Sequence, residues 1–323
     1  MRAVLRCGIL CCTTFALSAC GGGAGGSGQN PAGFACRTAN AYKIPVAASD
    51  YDGDGTVEAF VGSANLPTSP YATVYDLFGA TSEWEIQQPA YNSVAATTAD
   101  MTGDGRTDLV TIAWDGSVYV HDAIMKALVW EGPPLKAIFN DGLKEAVDVL
   151  VKDLSGDGLL DIVAVTGSML VAYERAPDDA SYRETTRYEP DKEIIDAALS
   201  DTDGDGTAEI VILTRHSIQP EQPTTVERLD DTLQALGTFA YQAFAYALAD
   251  DPSGRLRGNL LLGIGDPLGG PAWIAAVGAL SRVEVWRSPA LIGAISPNSL
   301  HVVAIEGKTR LSLGTQSGMY LTR

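Results

Sequence analysis

The chain has 323 residues, 40 of them acidic against 22 Lys and Arg, giving a formal charge of -18 with 46% hydrophobic residues. So acidic a balance excludes binding to nucleic-acid phosphates and simple adhesion to anionic headgroups, and it makes cations the natural partners. The length exceeds what one compact core usually serves, which leaves a closed barrel or an array of repeats.

The first residues read as a processing signal. Arg2 and Arg6 precede a mainly apolar stretch, residues 7–17, and then Leu17-Ser18-Ala19-Cys20, which resembles the lipobox of bacterial lipoproteins. That resemblance implies removal of residues 1–19 and a diacylglycerol on the thiol of Cys20. Residues 20–33 follow as a glycine-rich tether, since the run from Gly21 to Gly28 disfavours any helix. No other stretch approaches the ~18 apolar residues of a membrane span, so the lipid on Cys20 would be the anchor. The expected location is the bacterial cell envelope, at the outer membrane and facing the periplasm or the surface. Of five cysteines, Cys7, Cys11 and Cys12 leave with the signal and Cys20 is lipidated. Cys36 alone remains, so no internal disulfide can form.

From residue 34 to 323 the sequence repeats itself. Nine-residue acidic motifs begin at Asp50, Asp100, Asp153 and Asp201, and a fifth from Asp251 to Asn259 keeps the frame but has lost most of its acids. The starts are 50, 53, 48 and 50 residues apart, a period that marks propeller blades or solenoid units. Short apolar runs flank each motif: residues 44–48 and 59–61 around the first, 109–113 after the second, then 161–166, 209–213 and 259–263. These are too short for independent helices and rich in Val, Ile and Leu, so they are expected to be strands. A second pair follows in each unit, at 73–77 with 82–86, 117–121 with 127–131, and 282–286 in the fifth. Four strands per unit make a propeller blade. Residues 302–305, 311–314 and 319–321 give a last unit with three strands and a plain loop at 306–309. The segment 34–43 has no unit of its own. The expected fold is all-β, a β-propeller of six blades, or seven if one unit hides a degenerate blade, with the amino-terminal strand closing the ring. Residues 133–142 read as an insertion between blades.

In each acidic motif the side chains at positions 1, 3, 5 and 9 are expected to converge, with a backbone carbonyl from position 7 and glycines permitting the tight turn. The ligand sets are Asp50, Asp52, Asp54, Thr56 and Glu58; Asp100, Thr102, Asp104, Arg106 and Asp108; Asp153, Ser155, Asp157, Leu159 and Asp161; and Asp201, Asp203, Asp205, Thr207 and Glu209. All donors are oxygens, without imidazole or thiolate, which selects Ca2+ over zinc or copper at about four sites. An EF-hand is excluded because its bidentate acid stands at position 12, not 9, and its flanks are helices.

These loops and their strand contexts resemble the FG-GAP and VCBS repeats of integrin α-subunit propellers and of many bacterial surface proteins. The resemblance spans nearly all of residues 34–323. Phe78-Gly79-Ala80 and Gly269-Gly270-Pro271 are remnants of the elements that name one of the repeats. It implies a non-catalytic recognition or assembly module in which calcium is a structural staple, with an envelope or extracellular protein or a polysaccharide as partner. The alternative is a polysaccharide lyase or hydrolase assembled across blades, although His121, His216 and His301 are isolated and no nucleophile elbow, zinc-protease motif or phosphate loop is present. Trp84, Trp114, Trp130, Trp273 and Trp286 are the aromatic candidates for a binding surface; Trp84, Trp130 and Trp286 are expected to pack in the outer part of their units.

Overall fold

The structure is a computed structural model of the chain. It describes residues 34–37, 45–49, 58–62, 72–76, 82–86, 93–135, 145–177, 181–216, 222–241, 244–249, 258–265, 270–293, 295–305, 308–315 and 318–322. The expected signal and tether, the first acidic motif before Glu58, residues 251–257 of the fifth and most of the insertion lie outside the described residues.

Every named element is a strand, and among the described residues the strands form six four-stranded sheets. The first holds β2 (Pro45–Ser49), β3 (Glu58–Gly62), β4 (Ala72–Asp76) and β5 (Ser82–Ile86) in that order. The second holds β6 (Ser93–Ala99), β7 (Asp108–Ala113), β8 (Val118–Asp122) and β9 (Ala127–Glu131). The third runs β10 (Ala146–Lys152), β11 (Asp161–Thr166), β12 (Leu170–Arg175), β13 (Tyr182–Tyr188), and the fourth β14 (Glu193–Ser200), β15 (Glu209–Arg215), β16 (Thr225–Leu229), β17 (Ala235–Ala240). The fifth runs β18 (Ala245–Leu248), β19 (Asn259–Gly265), β20 (Ala272–Gly278), β21 (Glu284–Arg287). In the sixth, β22 (Ile295–Ile305), β23 (Lys308–Thr315) and β24 (Gly318–Thr322) are followed by β1 (Phe34–Arg37), which pairs antiparallel with β24. The sheets are four-stranded blades in a β-propeller arrangement.

Sequence pattern follows position in the blade. The second strands, Asp108–Ala113 and Asp161–Thr166, are buried at every residue because a neighbouring blade covers each face, which is why they read as unbroken apolar runs. The outer strand β13 carries exposed Arg183, Glu184 and Arg187. First strands of successive sheets lie against one another: β2 with β6, β6 with β10, β10 with β14, β14 with β18, β18 with β22, and β22 with β2.

The apolar cores lie between blades. Val110, Ile112 and Val120 of the second sheet pack with Ile162, Ala164 and Tyr173 of the third. Leu150, Val163 and Leu170 of the third pack with Ile210, Ile212 and Leu229 of the fourth. Removing ~20 Å2 of apolar surface from water is worth about 0.5 kcal/mol, so each such layer is a main source of cohesion.

The ladder bulges at two recurring places. One is near the start of the first strand, as at Ala146/Asp148 and Ile194/Asp196; the other is between third and fourth strands, as at Val74/Tyr75, Val120/His121 and Ala276/Val277. Bulges raise local twist, and their repetition lets every blade twist alike. One sequence expectation needs correcting. The last unit starts earlier than residue 302, at Ile295, and β23 takes in Lys308 and Thr309, which the pattern assigned to a loop. Ser296-Pro297-Asn298-Ser299 conceals the strand from periodicity, and the register shift between Ile295 and Leu300 accommodates it.

Candidate metal centre

Each acidic motif connects the first strand of a blade to the second, and its ninth residue opens that buried second strand: Asp108 begins β7, Asp161 begins β11 and Glu209 begins β15. Positions 4 and 6 adopt positive φ, at Gly103 and Gly105, Gly156 and Gly158, Gly204 and Gly206. Open space surrounds Gly204, so its requirement is the backbone conformation and not a close neighbour. Gly204→Ala is expected to cost about 1–2 kcal/mol by the left-handed penalty alone, read as a lower melting temperature.

The carboxylate at position 1 gathers the turn. Asp100 Oδ1 accepts the N–H groups of Gly103 (2.7 Å) and Asp104 (3.1 Å), and its Oδ2 accepts Gly105 N–H (2.8 Å). Asp153 takes the same three groups in the next loop, from Gly156, Asp157 and Gly158. Position 9 holds the entry of the loop: Asp108 Oδ2 accepts Met101 and Thr102 N–H, each at 2.9 Å, and Asp161 Oδ2 accepts Leu154 N–H at 2.8 Å. Position 5 accepts from position 7, as Thr207 N–H donates to Asp205 Oδ1 at 2.7 Å. Burial pushes the Asp108 and Asp161 carboxyls above the usual range, against the pull of these backbone donors.

The fourth loop goes furthest. Asp201, Asp203, Asp205 and Glu209 each offer a carboxylate oxygen within 4.8 Å of the others. Asp201 and Glu209 are buried, while Asp203 and Asp205 are exposed. Among the described residues, no other group of three or more acids, cysteines or histidines converges this closely. Position 3 is Asp203 here, against Thr102 and Ser155 in the two preceding loops, so those loops carry three acids where this one carries four. The second loop has a basic neighbour. Arg175, at the end of β12 in the next blade, donates from Nη2 to the Thr102 carbonyl at 3.0 Å. In the fourth loop Arg228 Nη1 donates to Thr202 Oγ1 at 2.8 Å, and that hydroxyl donates to Glu209 Oε2.

No family model matches the chain, and no curated protein sequence matches it. Among solved structures it is similar to BBS1N in complex with ARL6DN, from crystals soaked with mercury, at 11% identity and a TM-score of 0.56 over 88% of this chain and 92% of that one. The same complex soaked with lead gives 10%, 0.56, 88% and 93%. Sqt1 of Saccharomyces cerevisiae matches at 11% identity and a TM-score of 0.49 over 82% of this chain and 67% of that one. At such identities the likeness to BBS1N is one of fold.

Two acids that the sequence reading passed over lie on this fold. Asp148 and Asp196 stand at equivalent bulges of β10 and β14, each five residues ahead of its loop. Asp196 is fully buried, and its carboxylate accepts Ala197 N–H at 2.9 Å and Leu248 N–H of the next blade. Burial, and then the nearby Asp148, push its carboxyl well up. The clue in the sequence was their spacing of 48 residues, the same as that of the loops they precede.

Of the histidines, His121 on β8 is 1% exposed and lies edge-on to Trp84 of the preceding blade, ring centroids 5.5 Å apart. Its two ring nitrogens have no hydrogen-bond partner, and burial lowers its pKa to about 4. The unfolded chain therefore binds a proton near pH 6.5 that the folded chain refuses until about pH 4, so acid favours unfolding across that window. The expected loss is about 3 kcal/mol between those pH values, by ~1.4 kcal/mol per unit. His121→Phe should remove that part of the pH dependence, which melting curves of both chains across the window would show; parallel pH profiles would contradict it.

Proposed function

We propose that the chain is a non-catalytic recognition or scaffolding disc whose acidic loops bind calcium, held at the bacterial envelope by a lipid on Cys20. The observation that carries the calcium reading is the convergence of Asp201, Asp203, Asp205 and Glu209 on left-handed glycines between two strands. Four carboxylates without nitrogen or sulfur suit a hard cation that tolerates irregular oxygen cages. The second and third loops repeat the frame with three acids each, and the first, outside the described residues apart from Glu58, carries four.

The six sheets are read as six blades of one ring. The cycle of first strands from β2 round to β22 and back supports this, as does the pairing of β1 with β24, which places both ends of the described chain in one sheet. A closed ring leaves no first or last blade face unpaired. BBS1N was crystallised with ARL6DN, and a disc of similar fold suits a protein partner here too. The partner class is an envelope or extracellular protein or a polysaccharide.

The test is capture from envelope extract and polysaccharide fractions on the immobilised full chain, in calcium and in chelator, with the retained material identified by mass spectrometry. Retention that needs calcium is expected. A polymer shortened in the flow-through, with nothing retained, would replace this reading by that of a polysaccharide-degrading enzyme.

A further inference from the structure

The blades are near-copies, so each serves as a control for the others. Trp84, Trp130 and Trp286 occupy the same place in β5, β9 and β21, opposite Val74, Val120 and Ala276 and just after the extra residue of the bulge. Trp84 meets His121 of the next blade, and Trp130 meets Tyr173 and Tyr182 at 5.5 and 4.9 Å between ring centroids. Trp286 departs from them. It is 46% exposed, and around it Leu280 is 57%, Val283 57% and Val285 61% exposed. Ile292 is exposed further along the same outer edge, just past Leu291, which bridges to Ala272. All four residues of β21 are exposed, and it is the outer strand of its sheet. Its counterpart β13 instead presents Arg183, Glu184 and Arg187. An exposed sheet edge this apolar invites association.

The geometry points to a second copy of this chain as the occupant: an isologous dimer in which the β21 edges of two discs meet about a two-fold axis near Val285 and Trp286. Charge selects that partner. Two molecules of formal charge -18 repel, and association is least opposed where the local charge is not negative. Residues 280–287 contain Arg282, Arg287 and Glu284, a local excess of one positive charge. Glu284 and Arg287 flank the apolar pair and already bond to each other, Arg287 Nε donating to Glu284 Oε1 at 2.8 Å. A two-fold between Val285 and Trp286 sets Glu284 of each copy beside Arg287 of the other, so the two pairs join into one alternating network. The area also suffices. Five large side chains about half exposed offer roughly 500 Å2 per copy, taking ~200 Å2 for each, and two copies reach the ~1,000 Å2 of a specific interface.

The experiment is sedimentation of the full chain carrying Cys20→Ser, so that no acyl group drives association, across micromolar concentrations. Twice the monomer mass is expected. Trp286→Glu should weaken dimerisation at least ~30-fold, as loss of a central aromatic does, and leave the melting temperature within a few degrees because the side chain is half exposed. Val285→Arg is the second variant, should the first fail to fold. Glu284→Arg and Arg287→Glu should each weaken the dimer, and the double exchange should restore it. A chain that stays monomeric, or a dimer indifferent to Trp286→Glu and to Val285→Arg, overturns the proposal. So does a monomer that uses this edge to hold a different protein.

Discussion

Chelation of calcium is expected to lower the melting temperature of the folded chain by roughly 10–25 °C. Fourteen acids stand at the proposed ligand positions of the four loops, and two carboxylates ~4 Å apart repel by about 4 kcal/mol at an effective dielectric near 20. A bound dication reverses the sign of that field. With a dissociation constant of ~0.1 mM, ordinary for an extracellular module, ~1 mM calcium adds about 1.4 kcal/mol per loop, or about 5–6 kcal/mol for four. In a chain this long a kilocalorie moves the midpoint by ~2–4 °C, which gives the stated range. Magnesium at equal concentration should recover little of it, because it gives up its waters reluctantly to an irregular cage. Calorimetry in calcium, magnesium and chelator checks this, and superimposable melts would remove calcium from the account.

Glu209→Ala should be the most damaging change to a single loop, at about 2–4 kcal/mol in calcium. Its buried Oε2 accepts Thr202 N–H at 2.7 Å and the Thr202 hydroxyl, which is itself held by Arg228. Removing the carboxylate strands two buried donors at ~1–3 kcal/mol or so in total for the pair, and it abolishes the cation's ~1.4 kcal/mol. Asp205→Asn makes the contrast. Asp205 is exposed and its side-chain oxygen can still accept Thr207 N–H, so that variant should lose only the cation's share. In chelator the two should separate: Asp205→Asn melts with the parent chain, while Glu209→Ala stays lower by the hydrogen-bond loss. If both converge on the parent in chelator, Glu209 has no structural role beyond the ion.

The blade architecture was legible because its cause is local and repeated. A buried second strand such as Asp161–Thr166 must be apolar on both faces, and a turn such as Asp153 to Asp161 needs its acids and glycines at fixed offsets. Less legible was anything set by a neighbouring blade. Periodicity gives Trp84, Trp130 and Trp286 the same role, yet the third is left half exposed. Asp196 looks like one more surface acid until its bond to Leu248 N–H, 52 residues later, shows it bridging two blades. Convergence of the acids was also only partly readable, since the second and third loops keep acids at positions 1, 5 and 9, yet among the described residues only the fourth loop draws its acids together.

The pairing of β1 with β24 also constrains how the molecule is made. Phe34 finds Thr322 opposite it, 288 positions later in the chain. At a synthesis rate of ~5–20 residues per second, β1 waits about 15–60 s before its partner strand exists. Until then four amino-terminal residues have no ladder to join, while the sheets between can form in order from contacts close in sequence. The last sheet must therefore be the latest to assemble, and the loss of even the final strand would leave an otherwise completed array with its first segment stranded.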